Sequence, residues 1–312
     1  MTHRLCVAPM MDWTDRHCRF FLRQVNATVR LYTEMITTGA LIHGDVERHL
    51  RFNEEEHPVA LQLGGSEPDE LAHCAKLGER YGYDEINLNI GCPSERVQRG
   101  AFGACLMAEP RLVAQCVSAI REKVKVPVTV KHRIGLDRVE DYGFVRDFVG
   151  TVAEAGCRTF IVHARNAVLK GLSPKENREI PPLRYEYVHR LKRDFPHLEI
   201  VINGGITSLE EMRLHLRSVD GVMLGRAAYH NPWLLADPGK TRAEVVRAMH
   251  RYAIGKAPLR SITRHMLGLY HGHRRARLWR RMLSDPVPRD RNDPDLLLDA
   301  LEAVESQAMI TA

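Results

Sequence analysis

Short apolar runs alternate along the chain with longer stretches in which apolar residues recur at helical spacing. Most of the short runs are unbroken sequences of Val, Ile and Leu, which is typical of parallel strands covered on both faces. Eight strand–helix units predict the α/β class and a (β/α)8 TIM barrel, since a doubly wound sheet needs only about five or six strands. The predicted strands are Arg4–Ala8, Val29–Thr33, Val59–Leu63, Glu85–Asn89, Val128–Lys131, Thr159–His163, Ile200–Asn203 and Gly221–Leu224.

The pattern changes after about Asp237, where strand-like runs stop and helical periodicity continues. We therefore predict a barrel domain over residues 1–237 and an all-helical C-terminal domain over residues 238–312. Within the barrel, capping boxes predict helix starts at Ser66–Asp69 and at Thr207–Glu210. The helices predicted in the second domain are Arg242–Ala253, Arg260–His271, Arg274–Leu283 and Asp295–Glu305.

Composition narrows the class of protein. The 312 residues are 44% hydrophobic and 27% charged, enough for a large domain with a smaller one. No apolar run is long enough to span a membrane and no signal-peptide pattern opens the chain, which predicts a cytoplasmic protein. The seven cysteines form no C-x-x-C pair and the 16 histidines no H-E-x-x-H motif, so neither a disulfide framework nor a metal site is expected.

Positive charge is concentrated in one segment. From Thr241 to Ser284 there are eleven Arg and Lys residues and one acid, Glu244, whereas the rest of the chain is slightly acidic. A basic segment attached to an acidic body is typical of a surface that binds a polyanion such as nucleic acid. Arg274, Arg277 and Arg281 have the spacing of one helix face, so we expect them to contact phosphates.

Polar residues and glycines follow all eight predicted strands, at the ends where barrels of this type place their active sites. They are Pro9–Asp12, Glu34, Gln62–Gly65, Asn87–Ser94, Lys131–Arg133, His163–Arg165, Asn203–Gly205 and Gly225–Arg226. The last two groups predict a phosphate site, because glycines let backbone N–H groups approach a phosphate and Arg226 adds a charge-assisted fork. Tight turns alone are the alternative.

Two further side chains favour a flavin. Lys131 ends an apolar strand, and a buried cation needs an anionic or electron-rich partner such as a reduced flavin. The amide of Gln62 matches the N3–H and carbonyl edge of an isoalloxazine. Lys131 alone fits equally a Schiff-base lysine, but together with Gln62 and the glycine turn it favours FMN.

Cys92 lies in the motif Gly91-Cys92-Pro93-Ser94, in a glycine-punctuated loop after the fourth predicted strand. Reduction of a pyrimidine double bond needs a hydride at one carbon and a proton at its neighbour, and a thiol can supply that proton as a general acid. Such a role requires the neutral thiol. Cys105 on the same loop is the competing candidate, although it is more typical of a packed residue.

The motifs resemble those of the tRNA-dihydrouridine synthase family. They are Ala8-Pro-Met-Met-Asp-Trp-Thr-Asp15, Tyr32-Thr-Glu-Met35, Gln62-Leu-Gly-Gly65, Asn87-Leu-Asn-Ile-Gly-Cys-Pro-Ser94, Lys131-His-Arg-Ile-Gly135, Val162-His-Ala-Arg165, Ile202-Asn-Gly-Gly-Ile206 and Gly221-Val-Met-Leu-Gly-Arg226. Residues 170–182 and 226–233 resemble the A-type subgroup in particular. The resemblance covers the barrel and reaches residues 265–272, but His273-Arg274-Arg275 stands where the family is expected to have a Pro-Gly turn.

The resemblance implies an FMN enzyme that NADPH reduces and that in turn reduces uridine in the tRNA D-loop, at positions 20 and 20a. The flavin would deliver hydride to C6 of uracil while Cys92 protonates C5. Asn89 would face the flipped uracil, and Lys175 and Arg178 would lie near the tRNA. The residues implied to hold the flavin are Pro9, Met10, Met11, Gln62, Lys131, His163, Asn203, Gly204, Gly205, Gly225 and Arg226.

Two other functions remain open from the sequence. An FMN barrel that reduces a small pyrimidine would need the flavin residues but would leave the basic segment unexplained. A non-catalytic protein that binds or folds tRNA would need the basic segment but would leave Cys92, Lys131 and Gln62 unexplained.

Overall fold

The computed structural model describes residues 3–137, 141–256, 258–287 and 291–305. The chain folds into two compact units. The first comprises the chain up to Met11 together with Arg30–Gly225, and the second comprises Asp12–Val29 together with the chain from Arg226 onward. The functional division predicted at residue 237 stays a prediction. Within the described ranges, no helix combines the length and the apolar character needed to cross a membrane.

The first unit is built around a ring of parallel strands. These are β1 (Leu5–Val7), β2 (Leu31–Tyr32), β3 (Ile36–Thr37), β4 (Val59–Gly64), β5 (Glu85–Ile90), β6 (Val128–Arg133), β7 (Thr159–His163), β8 (Glu199–Asn203) and β9 (Gly221–Leu224). Neighbours follow the order β1-β9-β8-β7-β6-β5-β4-β2, and β3 also pairs with β4. A parallel bridge between Cys6 and Arg30 joins β1 to the start of β2. The predicted (β/α)8 TIM barrel is therefore confirmed.

The strand prediction misses one feature, in the second position of the ring. Val29–Thr33 was expected to form one strand, but β2 covers only Leu31–Tyr32 and a separate strand, β3, follows at Ile36–Thr37. Thr33 between them donates its hydroxyl to the carbonyl oxygen of Glu34 and accepts the N–H of Gln62. A side chain that bonds to backbone in this way competes with the regular ladder, so it interrupts the strand.

Helices link the strands of the ring. They are α2 (Thr38–His43), α3 (Val46–Leu50), α4 (Pro68–Tyr81), α5 (Glu95–Arg99), α6 (Pro110–Lys123), α7 (Tyr142–Glu154), α8 (Tyr185–Asp194) and α9 (Leu209–His215). The predicted cap at Ser66 is wrong, because Glu67 is the N-cap of α4 and Pro68 opens the helix. The second capping box exists one residue later than predicted, between Ser208 and Glu211. Both errors are a shift of one residue, because adjacent residues differ little in how well they serve as an N-cap.

The interior of the barrel is apolar on one side and polar on the other. The apolar cluster consists of Cys6, Ala8, Tyr32, Ala60, Ile161, Val201 and Met223. Across the adjacent strands β4, β5 and β6, the buried side chains of Gln62, Asn87 and Thr129 lie in register with one another. Buried polar side chains need hydrogen-bond partners, and here they supply one another.

The second unit is helical in its described part. Its helices are α1 (Arg16–Val25), α10 (Arg226–His230), α11 (Arg242–Ala253), α12 (Leu259–Met266), α13 (Ala276–Ser284) and α14 (Leu296–Glu305). Asp15 caps α1 by accepting the N–H groups of His17 and Cys18, an arrangement worth about 1 kcal/mol. The same carboxylate pairs with Arg264 and His265 at 2.6 and 3.0 Å. These bonds fix an early segment of the chain to the C-terminal helices.

Two of the predicted C-terminal helices differ from the observed bounds by two residues or more at one end. Helix α12 ends at Met266 rather than at His271, because Leu269 and His271 donate their N–H groups to carbonyl oxygens three residues earlier instead of four. Helix α13 begins at Ala276 rather than at Arg274, so Arg274 precedes the helix. Arg277 and Arg281 remain on one exposed face, four residues apart.

Candidate active site

Five of the predicted site residues come from the carboxyl ends of adjacent strands in the first unit. Asn89 of β5 is in register with Lys131 of β6, and His163 of β7 is in register with Asn203 of β8. Gln62 of β4 joins them through a hydrogen bond from Asn89. Because the strands are parallel, these side chains lie at one end of the barrel, which is where such barrels carry their chemistry.

Cys92 lies directly after β5 in a loop that is tightly held. The side-chain oxygen of Asn89 accepts the N–H groups of Gly91 at 3.1 Å and Cys92 at 3.0 Å. The Cys92 carbonyl accepts the N–H of Ala104 at 3.0 Å. The thiol itself donates to the hydroxyl of Ser94 at 3.5 Å and is partly accessible. The loop therefore presents a reactive atom at a fixed place while leaving it open to a ligand.

Cys105 has a different environment on the same loop. Its thiol donates to the carbonyl oxygen of Phe102 at 3.1 Å, and burial raises its pKa above the ordinary range of a thiol. The remaining cysteines are buried. Cys105 is partly accessible, as Cys92 is, but its thiol is hydrogen-bonded to the backbone of the loop.

Gln62 is held in one orientation by the two asparagines of β5. Its amide nitrogen donates to the side-chain oxygen of Asn87 at 2.8 Å, and its amide oxygen accepts from Asn89 at 2.9 Å. The side chain is only 1% exposed. Each of its polar atoms has one further hydrogen-bonding capacity, so Gln62 can bind a ligand edge without losing these bonds.

The side chains of Lys131, Arg133 and His163 influence one another's charge at the ends of β6 and β7. Burial, together with the charge of Arg133, lowers the pKa of Lys131 to about 7. Burial and the charges of Arg133 and Lys131 lower the pKa of His163 well below its ordinary value. Among the described residues, no carboxylate pairs with Lys131. A lysine desolvated in this way binds an anionic or electron-rich group favourably, because that group restores its charge.

Arg133 was not among the predicted site residues, although it supports the cluster from β6. Its side chain is buried and donates to the carbonyl oxygens of Gly91, Asn166 and Asn177 at 3.2, 3.2 and 2.9 Å. It thus ties the Cys92 loop to the segment after β7. A sequence signal for it existed, since Thr129, Lys131 and Arg133 alternate along β6 and therefore share one face.

The double-glycine turn after β8 has a backbone conformation that requires glycine. Gly204 and Gly205 have φ values of +116° and +70°, which only glycine adopts without strain. Tyr185 donates its hydroxyl to the carbonyl of Gly204 at 2.7 Å, and Asn203 donates to the carbonyl of Met223 at 2.8 Å. Gly225 has open space around it, with its nearest neighbour at 3.9 Å from an added Cβ. Space for a ligand therefore lies beside the backbone at Gly225, whereas Gly204 and Gly205 are closely packed.

The other predicted residues are dispersed. Pro9, Met10 and Met11 follow β1, and Met11 is 56% exposed. Lys175 and Arg178 are exposed on the segment after β7, which the buried side chain of Asn177 anchors to both backbone atoms of Val168. Arg226 opens α10 in the second unit. The exposed arginines Arg274, Arg277 and Arg281 also belong to that unit.

The residues at the carboxyl end of the barrel fit a flavin mononucleotide. An amide edge at Gln62, an unpaired lysine at Lys131 and a glycine turn at Gly204 and Gly205 provide complementary groups for a polar ring edge, a developing negative charge and a phosphate. In the ranges that the structure describes, no three His, Cys, Asp or Glu side chains are arranged to hold a metal ion.

Comparison with known proteins gives a consistent picture. Residues 6–305 match the family described as "Dihydrouridine synthase (Dus)". Proteins named tRNA-dihydrouridine(20/20a) synthase from Pseudomonas putida and Salmonella typhimurium are both 57% identical to the chain, covering 92% and 97% of it and 89% and 95% of their own lengths. One of the same name from Synechocystis is 55% identical, covering 99% of this chain and 96% of its own.

Proposed function

Because this chain belongs to the dihydrouridine synthase family, as its motifs predicted, we propose that it reduces uridine to 5,6-dihydrouridine in tRNA with FMN as cofactor and NADPH as reductant. The names of the similar proteins support positions 20 and 20a as the targets. The observation that supports the proposal is that Asn89 accepts the backbone N–H of Cys92, donates to Gln62 and is in register with Lys131, all at the carboxyl end of the barrel.

FMN, when bound, would supply the hydride that C6 of uracil receives. Gln62 would bind the polar edge of the ring, and Lys131 would compensate the negative charge of the reduced ring. Asn203, Gly204, Gly205 and Gly225 would hold the phosphate. Pro9, Met10, Met11 and His163 complete the set of proposed flavin residues, and Arg226 remains a phosphate ligand expected from the sequence alone.

Cys92 would supply the proton that C5 receives. Its thiol carries a proton that Ser94 accepts only weakly, at 3.5 Å, so a substrate carbon can replace that partner at little cost. The electron pair of the C5–H bond comes from the pyrimidine double bond, and the sulfur is left as a thiolate that must be reprotonated before the next turnover. Asn89, whose amide nitrogen has a second N–H beyond the one that it donates to Gln62, is proposed to orient the uracil.

The tRNA would be held mainly through its phosphates. A D-loop base is packed inside a folded tRNA, so the enzyme must extrude it to bring its ring to Cys92. The eleven Arg and Lys residues between Thr241 and Ser284 would bind the backbone without reading the sequence. Lys175 and Arg178, exposed after β7, are proposed as further tRNA contacts.

The first experiment uses the visible spectrum of the purified protein. We expect a yellow protein whose flavin is bleached by NADPH and restored without oxygen by unmodified tRNA. Cys92→Ala should bind FMN and be reduced normally, yet be reoxidised by tRNA at least about a hundredfold more slowly, within the range typical of a lost general acid. Cys105→Ala is the matched control on the same loop and should react like the wild type.

Other outcomes would identify a different function. A yellow protein whose reduced flavin ignores tRNA would be a reductase of small molecules. A colourless protein that does not take up FMN but binds tRNA would be a binding protein. Equal loss of tRNA-dependent reoxidation in the Cys92 and Cys105 variants would contradict the assignment of the proton donor.

A further inference from the structure

A continuous chain of side-chain hydrogen bonds runs inside the barrel from Glu85 to the Cys92 loop. Thr129 donates its hydroxyl to the carboxylate of Glu85 at 2.5 Å, and Asn87 donates its amide to the same hydroxyl oxygen at 2.8 Å. Gln62 donates to Asn87 at 2.8 Å, and Asn89 donates to Gln62 at 2.9 Å. Each bond joins neighbouring strands, so the chain crosses β4, β5 and β6 repeatedly.

The Glu85 end of the chain can only accept hydrogen bonds. Glu85 is fully buried and lies 3.0 Å from Arg30 and 2.7 Å from His3. Burial alone would raise the pKa of Glu85, but the hydrogen bond from His3 and the charges of His3 and Arg30 lower it overall. His3 is itself buried between Glu85 and Glu199, whose hydrogen bonds raise its pKa to about 9 against the effect of burial. Glu85 is therefore a carboxylate at neutral pH.

The charge of Glu85 fixes the direction of every later bond. Thr129 has one hydroxyl proton, which it donates in the hydrogen bond to the Glu85 carboxylate. The Thr129 oxygen must therefore accept the hydrogen bond from Asn87. An asparagine amide that donates on one side presents its oxygen on the other, where it accepts from Gln62. The oxygen of Gln62 is then left to accept from Asn89.

The opposite end of the chain requires the same direction. Asn89, having donated its amide to Gln62, presents its oxygen to the N–H groups of Gly91 and Cys92, and backbone N–H groups can only donate. Reversal of any single amide would place two donors or two acceptors against each other in at least two hydrogen bonds. Such a mismatch inside a protein costs more than the bonds themselves contribute.

We infer that Glu85 and Thr129 are positioning residues, which act through Asn87 to fix the amides of Gln62 and Asn89 and thereby the backbone of the Cys92 loop. Neither residue lies at the proposed reaction site. The effect of this positioning on turnover rests on the proposed function, whereas its effect on the loop rests on the hydrogen bonds alone. The two can therefore be tested separately.

The test compares Thr129→Val with Thr129→Ser in the full-length protein. Valine keeps the shape of threonine but leaves Asn87 without its acceptor, whereas serine keeps the hydroxyl. In Thr129→Val we expect hydrogen exchange of the Gly91 and Cys92 N–H groups to accelerate by roughly tenfold, consistent with loss of about one hydrogen bond. The N–H of Val162 in β7 should keep its rate, and Thr129→Ser should match the wild type at all three positions.

Turnover provides the second readout. We expect Thr129→Val to lower kcat by roughly tenfold with little change in KM, since the loop is displaced rather than the tRNA surface. Unchanged exchange at Gly91 and Cys92 in Thr129→Val would overturn the inference whatever the activity. If the wild type forms no dihydrouridine, the proposed function fails, but the exchange comparison still decides the positioning role.

A second variant guards against a Thr129→Val protein that does not fold. Asn87→Asp has nearly the shape of asparagine, but it gives the single Thr129 proton two competing carboxylates, at positions 85 and 87. It should accelerate hydrogen exchange of the Gly91 and Cys92 N–H groups by a similar factor. Wild-type exchange at both positions in Asn87→Asp would contradict the directional chain.

Discussion

Gly204 and His163 approach so closely that a Cβ atom on Gly204 would lie 2.7 Å from Cδ2 of the imidazole. Gly204 also has a φ of +116°, a conformation that side chains disfavour. The turn after β8 therefore packs against the end of β7 so closely that position 204 has no room for a side chain. The close contact therefore requires glycine at position 204.

Gly204→Ala should consequently weaken both the fold and the phosphate site. We expect a loss of about 2–4 kcal/mol in the free energy of unfolding, from backbone strain and from displacement of His163, and a lower FMN content after purification. Gly171→Ala is the matched control, because Gly171 has a φ of +86° but no atom within 4 Å of an added Cβ. It should lose only the strain energy, about 1–2 kcal/mol. Equal losses measured by urea unfolding would show that the His163 contact is unimportant.

Lys131→Met should stabilise the flavin-free protein. The folded state lowers the pKa of Lys131 to about 7, whereas an unfolded lysine titrates near about 10.4. Above pH 7 the unfolded state therefore binds more protons, so this lysine destabilises the fold most at or below pH 7 and progressively less as the pH rises towards about 10.4. We expect Lys131→Met to raise the free energy of unfolding by about 1–3 kcal/mol at pH 7. This is less than the full pKa shift implies, because water reaches part of the lysine side chain.

The gain should shrink as the pH is raised, and it should be accompanied by weaker FMN binding. Lys123→Met, at an exposed lysine near the end of α6, is the control and should change stability little at any pH. Denaturant unfolding of the three proteins at several pH values measures the effect. A destabilised Lys131→Met protein would contradict the assignment of Lys131 as an unpaired cation.

His3→Gln should remove a pH dependence of opposite sign. The pKa of His3 is raised to about 9 in the fold, so the folded state binds more protons than the unfolded state between about pH 6.5 and 9. The stabilisation is complete below pH 6.5 and is lost as the pH rises through 9. We expect the difference in free energy of unfolding between the wild type and His3→Gln to be roughly 3 kcal/mol larger at pH 6 than at pH 10. A difference that stays constant with pH would mean that His3 is not charged in the fold.

Arg277→Ala/Arg281→Ala should weaken tRNA binding without affecting reduction by NADPH. Both residues are exposed on one face of α13. Loss of two phosphate contacts should reduce the slope of log affinity against log salt by up to about 2. Arg213→Ala/Arg217→Ala removes two exposed arginines with the same spacing in the first unit and is the control. If both double variants reduce the slope equally, the basic segment has no special role.

Much of the barrel could be predicted because its determinants are local. The bounds of β7 and β9 agree with the apolar runs Thr159–His163 and Gly221–Leu224, and α11 agrees with Arg242–Ala253. A strand covered on both faces must be apolar throughout, so the sequence marks it directly. Helix α12 was predicted too long because apolar residues continue past Met266, where the chain forms turns with i→i−3 hydrogen bonds instead.

The candidate site was predictable where chemistry and strand ends coincide, as at Cys92 and Lys131. The hydrogen bonds that position the site residues were harder to predict. Glu85, Asn87 and Asn89 alternate along β5 and so share a face. Only the strand register shows that Asn87 is paired with Thr129 of β6 on one side and with Gln62 of β4 on the other. The hydrogen bonds of Asp15 with Arg264 and His265 join residues about 250 positions apart and have no local signal.

The discontinuous second unit has a consequence for how the protein is made. Helix α1 leaves the ribosome about 200 residues before the helices that complete its unit, which at roughly 5–20 residues per second is a delay of about 10–40 s. Throughout that interval the buried face of α1, which includes Phe20, Phe21 and Leu22, has no native partner from its own unit. The nascent chain must therefore keep this hydrophobic segment from aggregating, and a fragment that starts at residue 238 would lack the same helix.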